Sequence, residues 1–175
     1  MPVDPERVFT PISIALLTVS DTRGPENDTS GDILAARIEG AGHHLAARAI
    51  ERDDVAALVT RFEAWIDDPA IDAIVSTGGT GLTGRDITPE ALDKVKDRDI
   101  PGFGELFRWI SYQTIGTSTI QSRACAVIAR GTYIFALPGS NGAVKDAWDG
   151  ILAEQLDSRN TPCNFVNLIP RLRER

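Results

Sequence analysis

The chain has 175 residues, of which 42% are hydrophobic and 25% are charged, a balance that excludes collagen-like, disordered and disulfide-scaffold proteins. Its 18 Lys and Arg residues against 25 Asp and Glu residues give a net charge of −7, so we expect no nucleic-acid partner. Cys125 and Cys163 lie far apart, and no apolar run reaches the length of a membrane span. We therefore expect a cytoplasmic protein with no membrane partner.

The first half of the chain alternates strand and helix patterns. Ser13–Val19 is an apolar run that predicts a buried strand, and a turn-rich loop follows at 20–30. Ser30 is predicted to cap a helix. An extended stretch at 44–50 then leads to Asp53, the predicted cap of a second amphipathic helix.

The next strand feeds a glycine-rich loop. Residues 71–77 form a short apolar run that ends in Gly78-Gly79-Thr80-Gly81, which predicts a buried strand followed by a tight loop. Thr88 and Pro89 are predicted to be the N-cap and the first residue of the following helix.

The last third of the chain is predicted to begin with helices and to end with a strand, a loop and a helix. Helices are expected between residues 102 and 130, including the small apolar segment 124–129. Thr132–Leu137 predicts a strand, and the loop 138–142 separates it from a helical stripe that reaches Leu156.

This alternation predicts an α/β protein with a single three-layer α/β/α domain and a mostly parallel central sheet. The length predicts one domain over residues 1–175, with short tails at 1–11 and 166–175. Ligands bind such sheets at the carboxyl ends of the strands. The polar, glycine-containing segments 18–22, 78–86 and 138–142 are predicted to meet at that edge.

Two familiar phosphate-binding motifs fit the glycine loop poorly. A P-loop has Lys and then Ser or Thr after its second glycine, whereas Arg85 and Asp86 follow Gly84. In a dinucleotide-binding fold the helix starts within the motif, whereas the capping signal here comes only at Thr88. The glycines at 78, 79 and 81 nevertheless exceed what a turn requires, so they indicate a backbone cradle for an anion.

The polar residues around the loop have two explanations each. Asp86 would repel a polyphosphate unless a cation bridges them, which favours phosphate with Mg²⁺, but it could also be a turn residue that binds its own backbone. Asp53 as a helix cap and Asp21 as a turn residue need no ligand. Ser140 and Asn141 could cap the last helix or donate to an anion.

Taken together, these segments resemble the family of molybdopterin-binding proteins of molybdenum cofactor biosynthesis, which includes bacterial MoaB and MogA proteins and the G domain of gephyrin. The resemblance covers nearly the whole chain from residue 13 to 165. The segments that carry it are Thr18-Val19-Ser20-Asp21-Thr22, Ser76-Thr77-Gly78-Gly79-Thr80-Gly81, Arg85-Asp86-Ile87-Thr88-Pro89-Glu90 and Leu137-Pro138-Gly139-Ser140, with MoaB-like stretches at 102–108, 115–118, 121–124 and 159–165.

The resemblance implies the molybdopterin-binding fold and a reaction in which AMP passes from MgATP to molybdopterin. It implies that Asp86 and Asp53 are catalytic and hold Mg²⁺. The substrate- and nucleotide-binding residues that it implies are Ser20, Asp21, Gly78, Gly79, Thr80, Gly81, Thr88, Pro138, Gly139, Ser140 and Asn141.

The leading hypothesis is therefore a molybdopterin adenylyltransferase, and the alternative is a catalytically silent pterin-binding or scaffold protein of the same pathway. The resemblance also implies homotrimers or homohexamers, and other molybdenum cofactor biosynthesis proteins are possible partners. Phe103, Phe107, Trp109 and Tyr112 are the candidate apolar surface for self-association.

Overall fold

A six-stranded sheet lies at the centre of the computed structural model, which describes residues 3–174. Residues 1, 2 and 175, at the outer ends of the predicted tails, lie outside the described residues. The strands are β1 (Ser13–Val19), β2 (His44–Glu51), β3 (Ala73–Thr77), β4 (Arg98–Asp99), β5 (Cys125–Ala129) and β6 (Thr132–Leu137). The helices are α1 (Thr29–Gly40), α2 (Val55–Ile66), α3 (Thr88–Val95), α4 (Pro101–Ile115), α5 (Asn141–Ala147) and α6 (Ala153–Gln155), with 3₁₀ turns at Gly116–Gln121 and Val166–Arg171 and a π-helical turn at Trp148–Leu152.

The strand order is β2-β1-β3-β6-β5-β4. Strand β1 pairs in parallel with β2 and β3, and β3 pairs in parallel with β6, whereas β5 and β4 complete the sheet as antiparallel strands. The carboxyl ends of β1, β3 and β6 therefore lie side by side. This arrangement brings the three predicted loop segments to one edge, as the sequence predicts.

Helices cover both faces of the sheet, which confirms the predicted α/β architecture with a mostly parallel sheet. Successive side chains of a strand point to opposite faces, so Leu16 and Leu17 enter different cores. Leu16 packs in the core that includes Phe107 of α4 and Trp148. Leu17 packs in the second core, which includes Phe62 of α2. Phe103 and Phe107 are buried, so they are not the self-association surface that the sequence predicts.

Three of the predicted helix caps are wrong. Asp28, not Ser30, caps α1, because its buried carboxylate accepts a hydrogen bond from the backbone N–H of Gly31 at 3.1 Å. Asp54, not Asp53, caps α2, because the extended backbone at Asp54 lets its carboxylate accept from the N–H of Ala57 at 2.8 Å. Asp53 is thus free of a capping role.

The third correction concerns Thr88, which lies inside α3 after an N-cap at Ile87 that makes no side-chain cap bond. The Thr88 hydroxyl donates instead to the carbonyl oxygen of Gly78 at 2.8 Å. Ser140 does cap α5, accepting from the N–H of Ala143 at 3.2 Å, so α5 begins at Asn141, within the predicted loop.

The helix expected at 124–129 is also wrong, because Cys125–Ala129 is strand β5 and pairs antiparallel with β6. Arg130 and Gly131 join the two strands with positive φ angles of 48° and 92°, the backbone that a tight hairpin turn requires. The short run of small apolar residues is compatible with either structure, and pairing with β6 decides between them.

The described parts of the two predicted tails contact the rest of the chain. The N–H of Asp4 donates to the carbonyl oxygen of Arg159 at 3.0 Å, and the N–H of Thr10 donates to the Ser158 hydroxyl at 2.8 Å. Val166 is buried against the core. Among residues 3–174, none of the helices has both the length and the apolar character needed to cross a membrane.

Candidate functional site

A cavity of about 720 Å³ lies at the carboxyl ends of β1, β3 and β6, the edge at which ligands bind open α/β sheets. Its size is in the range of small-molecule sites, roughly 300–1,000 Å³. The predicted site residues that line it are Ser20, Asp53, Gly78, Gly79, Thr80, Gly81, Asp86, Pro138, Gly139 and Ser140.

The glycine loop follows β3 and crosses close to both neighbouring strands. Gly78 and Gly79 have φ angles of 107° and 66°, which L-amino acids with a side chain rarely adopt. A Cβ atom at Gly78 would overlap the carbonyl oxygen of Val19, and one at Gly79 would overlap the Thr88 hydroxyl. The loop therefore needs both glycines to pass beside β1 and α3.

The hydroxyl of Thr80 is an unsatisfied polar group in this loop. Thr80 is 2% exposed, and its Oγ1 atom has no hydrogen-bond partner within the described residues. Buried hydroxyls in folded proteins usually have a partner. A ligand in the cavity that Thr80 lines can supply one.

Asp86 binds its own loop. Its carboxylate accepts from the N–H of Thr83 at 2.9 Å and from the Thr83 hydroxyl at 2.7 Å. Burial raises the pKa of Asp86, but these bonds, a bond from Gly81 and the charge of Arg123 outweigh it, so the pKa lies below its usual value. The carboxylate is therefore ionised at neutral pH and already has partners within the loop.

Asp53 is in the opposite electrostatic situation. Burial and the negative charges of Asp21 and Asp86 raise its pKa, and the charge of Arg85 offsets only part of this effect. Asp21 does not line the cavity, but its carboxylate accepts from the N–H of Asp53 at 3.3 Å. Asp53 and Asp86 thus form a negatively charged corner of the cavity.

The donor set of this corner fits Mg²⁺ together with a phosphate ligand. Across residues 3–174, no three His, Cys, Asp or Glu side chains are grouped so that they could hold a metal by themselves. Mg²⁺, however, is commonly held by one or two carboxylates, with phosphate oxygens and water filling the other positions. A cation would also offset the repulsion that raises the pKa of Asp53.

Two predicted binding residues besides Asp21 also lie outside the cavity lining. Thr88 is buried, and its hydroxyl is used by Gly78. The side-chain oxygen of Asn141 accepts from the Thr29 hydroxyl at 3.1 Å, which joins α5 to α1. Their role in binding stays a prediction.

Sequence reasoning missed Arg23, which lines the cavity from the loop after β1. Its guanidinium donates to the carbonyl oxygen of Gly139 at 2.9 Å and to the Ser30 hydroxyl. Arg23 thus joins the first and third loops of the site and brings a positive charge to the cavity.

Arg123 was also missed as a residue that holds the glycine loop. Its backbone N–H donates to the carbonyl oxygen of Thr80 at 2.8 Å, and its guanidinium donates to that of Gly81 at 2.6 Å. The same guanidinium also contacts the carbonyl oxygen of Asp86 and pairs with Glu90 of α3. Arg123 therefore fixes both ends of the loop from outside the cavity.

The remaining part of the lining comes from helix α4 and the residues after it, which the sequence analysis did not assign to the site. These residues are Phe107, Ser111, Ile115, Ser118, Thr119, Gln121 and Ser122. Their helical spacing at 107, 111 and 115 indicates one face of a helix, but a single sequence contains no signal that this face borders a ligand cavity.

Comparisons with known proteins agree on one family. The family described as "Probable molybdopterin binding domain" matches residues 15–158. The chain is 50% identical over 157 residues to molybdenum cofactor biosynthesis protein B of Escherichia coli strain K12, covering 90% of this chain and 92% of that one. It is 43% identical over 142 residues to the protein of the same name from Bacillus subtilis strain 168, covering 81% and 84%.

Solved structures show the same relationship. A crystal structure of a molybdenum cofactor biosynthesis protein B superposes with a TM-score of 0.86 and 32% identity, covering 97% of this chain and 100% of the other. The tungsten cofactor synthesizing protein MoaB from Pyrococcus furiosus superposes with a TM-score of 0.74 and 32% identity, covering 94% and 98%.

Proposed function

Because the chain belongs to the family of molybdopterin-binding proteins of molybdenum cofactor biosynthesis, we propose that it binds molybdopterin in the cavity and adenylylates it with MgATP. The observation that carries the proposal is the composition of the cavity. A glycine loop, two carboxylates and the capped start of α5 meet there. Backbone N–H groups of such loops suit phosphates, and carboxylates suit the cation that accompanies a polyphosphate.

The proposed reaction forms a bond between a terminal phosphate oxygen of molybdopterin and the α-phosphorus of ATP. The bond from the α-phosphorus to the oxygen that bridges to the β-phosphate breaks, and pyrophosphate leaves with that oxygen. Reactions at phosphorus depend mainly on positioning and on neutralisation of charge. A cavity whose lining includes no His or Cys side chain is compatible with this chemistry.

We assign the parts of the cavity as follows. The residues proposed to hold phosphate and substrate are Ser20, Gly78, Gly79, Thr80, Gly81, Pro138, Gly139 and Ser140. Asp53 and Asp86 are proposed to hold Mg²⁺, which supplies charge neutralisation at the phosphates when it is bound with ATP. Arg23 and Arg85 add positive charge to the same part of the cavity.

A second candidate is a protein that binds the pterin without turnover. It is favoured by the bonds of Asp86, whose carboxylate is already used by Thr83 within its own loop. A carboxylate that serves only the loop would leave Asp53 alone to hold a cation. Incubation of the purified protein with molybdopterin and MgATP separates the two candidates, because only the enzyme forms adenylylated pterin and pyrophosphate.

The variant Asp86→Asn tests the proposed role of the carboxylate. Asn retains an oxygen that can accept from Thr83, and Asp86 is only partly buried, so the fold should remain intact. We expect adenylylation to fall about 100-fold, the scale of one lost transition-state contact. Pterin binding should persist.

Glu105→Gln is the matched control, since Glu105 is an exposed carboxylate on α4 outside the cavity lining. Wild-type activity that survives Asp86→Asn would contradict the role of this residue. Absence of adenylylation by the wild type would support the silent pterin-binding protein.

A further inference from the structure

The cavity has two chemically different halves. The charged residues that line it are Arg23, Asp53, Arg85 and Asp86, and all four lie in the loops after β1, β2 and β3. The opposite side is formed by Phe107, Ser111, Ile115, Ser118, Thr119, Gln121 and Ser122, which we name the α4 wall. Because the α4 wall has no charged side chain in the lining, it gives no electrostatic attraction to phosphate and suits a neutral part of a ligand.

Unpartnered hydroxyls border this neutral half. Ser111 is 4% exposed, and its hydroxyl makes no hydrogen bond within residues 3–174. Thr80, at the junction with the glycine loop, has the unsatisfied Oγ1 atom described above. A buried hydroxyl without a partner lowers the stability of the fold. Two of them in the lining of one cavity point to a ligand that supplies the missing bonds.

The α4 wall also has an apolar part. Phe107, 1% exposed, and the side chain of Ile115 belong to the same lining, and the amide of Gln121 can both donate and accept. Apolar surface beside separate donors and acceptors complements a flat ring system, which has apolar faces and a hydrogen-bonding edge. The cavity volume of about 720 Å³ leaves room for such a ring in addition to phosphates.

We infer that the α4 wall, with the Thr80 hydroxyl, binds the planar nitrogen heterocycle of the ligand while the charged loops bind its phosphates. A pterin ring and an adenine ring share this chemistry. The inference rests on the proposed function only for the choice of these two rings. The charged and neutral halves thus divide one substrate between them.

Two variants of the α4 wall test the inference by calorimetry. Ser111→Leu removes a hydroxyl and fills part of the cavity, and Ser118→Phe adds bulk at an exposed position of the lining where the fold tolerates it. Thr114→Leu and Thr117→Phe are matched controls, since both residues are exposed neighbours outside the lining. The probes are magnesium tripolyphosphate, MgATP and 6-hydroxymethylpterin.

We expect both wall variants to weaken binding of at least one ring-bearing probe about tenfold or more and to leave tripolyphosphate binding unchanged. A loss for MgATP assigns the wall to adenine, and a loss for the pterin assigns it to the pterin. Wild-type affinities for both ring-bearing probes in Ser111→Leu and Ser118→Phe would overturn the inference. A wild type that binds the pterin but neither phosphate probe would instead overturn the proposed adenylylation.

Discussion

At the scale of single residues, Asp53 is held in a place that disfavours its charge. Burial and the carboxylates of Asp21 and Asp86 raise its pKa above the ordinary value of 3.8. Between 3.8 and the raised value, the native state binds more protons than the unfolded chain, so stability falls as pH rises through that window. At neutral pH the ionised carboxylate therefore reduces stability, which is understandable where a carboxylate serves a ligand.

Asp53→Asn should accordingly raise the free energy of unfolding at pH 7, because it removes the unfavourable charge. The gain should shrink as pH falls towards 3.8, where the wild-type carboxyl becomes protonated in both states. Urea denaturation of both proteins at pH 7 and pH 4 measures this difference. Asp146→Asn, on α5 outside the cavity lining, is the control, and a destabilised Asp53→Asn at pH 7 would contradict the argument.

The residues of the site differ in how far a single sequence predicts them. Gly78 and Gly79 are predictable because glycines after an apolar strand indicate backbone conformations that other residues avoid. Arg23 and Arg123 are not, because their partners lie far along the chain. Arg123 is 42 residues from Gly81, and only the folded sheet brings the two together.

At the scale of secondary structure elements, Asp28 connects three of them. Its fully buried carboxylate caps α1, accepts from the Thr18 hydroxyl of β1 at 2.8 Å, and pairs with Arg48 of β2 at 2.8 Å. Burial raises its pKa, but Arg48, Thr18 and the N–H of Gly31 lower it further, so the pKa lies below 3.8. The stabilisation is therefore present above pH 3.8 and is lost as pH falls through the lowered value.

Asp28→Asn should cost about 2–3 kcal/mol at pH 7, because it leaves Arg48 without its buried partner and weakens the cap. Asp32→Asn is a matched control: Asp32 pairs with the same Arg48 but is exposed, so its loss should cost under about 1 kcal/mol. Urea denaturation at pH 7 gives both values. Equal effects of the two substitutions would contradict the special role of the buried carboxylate.

Arg123 connects elements of the site itself, since it holds the glycine loop and pairs with Glu90 of α3. Arg123→Lys keeps the charge but cannot reach the carbonyl oxygens of Gly81 and Asp86 and the Glu90 carboxylate together. We expect faster hydrogen exchange at amides 81–86 and a roughly tenfold loss of adenylylation through poorer positioning. Arg98→Lys is the control, because Arg98 is exposed and donates to Leu172. Unchanged exchange in Arg123→Lys would contradict the clamp.

The elements themselves follow from the sequence wherever burial on both faces makes an apolar run. Ser13–Val19 and Thr132–Leu137 are predicted with the bounds that the structure has. Cys125–Ala129 is not, because small apolar residues suit a helix or a strand, and the antiparallel pairing with β6 is a tertiary interaction. The caps shift by one or two residues because neighbouring Asp residues compete for the same role.

At the scale of the whole molecule, α4 has two faces with different surroundings. Phe107 and Ser111 face the cavity, whereas Leu106, Trp109 and Tyr112 recur every three residues on the exposed side. Trp109 is 66% exposed and Tyr112 is 53% exposed. Large apolar side chains in a continuous exposed strip commonly mark a protein–protein interface.

We expect this strip to take part in self-association as homotrimers or homohexamers, because burial of Trp109 and Tyr112 against another copy removes apolar surface from water. Trp109→Glu places a charge in the strip and should shift the protein towards monomers without unfolding it, since the side chain makes little contact within its own chain. Light scattering coupled to gel filtration measures the mass, and Val8→Glu, at an 85% exposed position away from α4, is the control. A wild type that remains monomeric at micromolar concentration would contradict the prediction, whereas a wild-type oligomer that persists in Trp109→Glu would assign the interface to another surface.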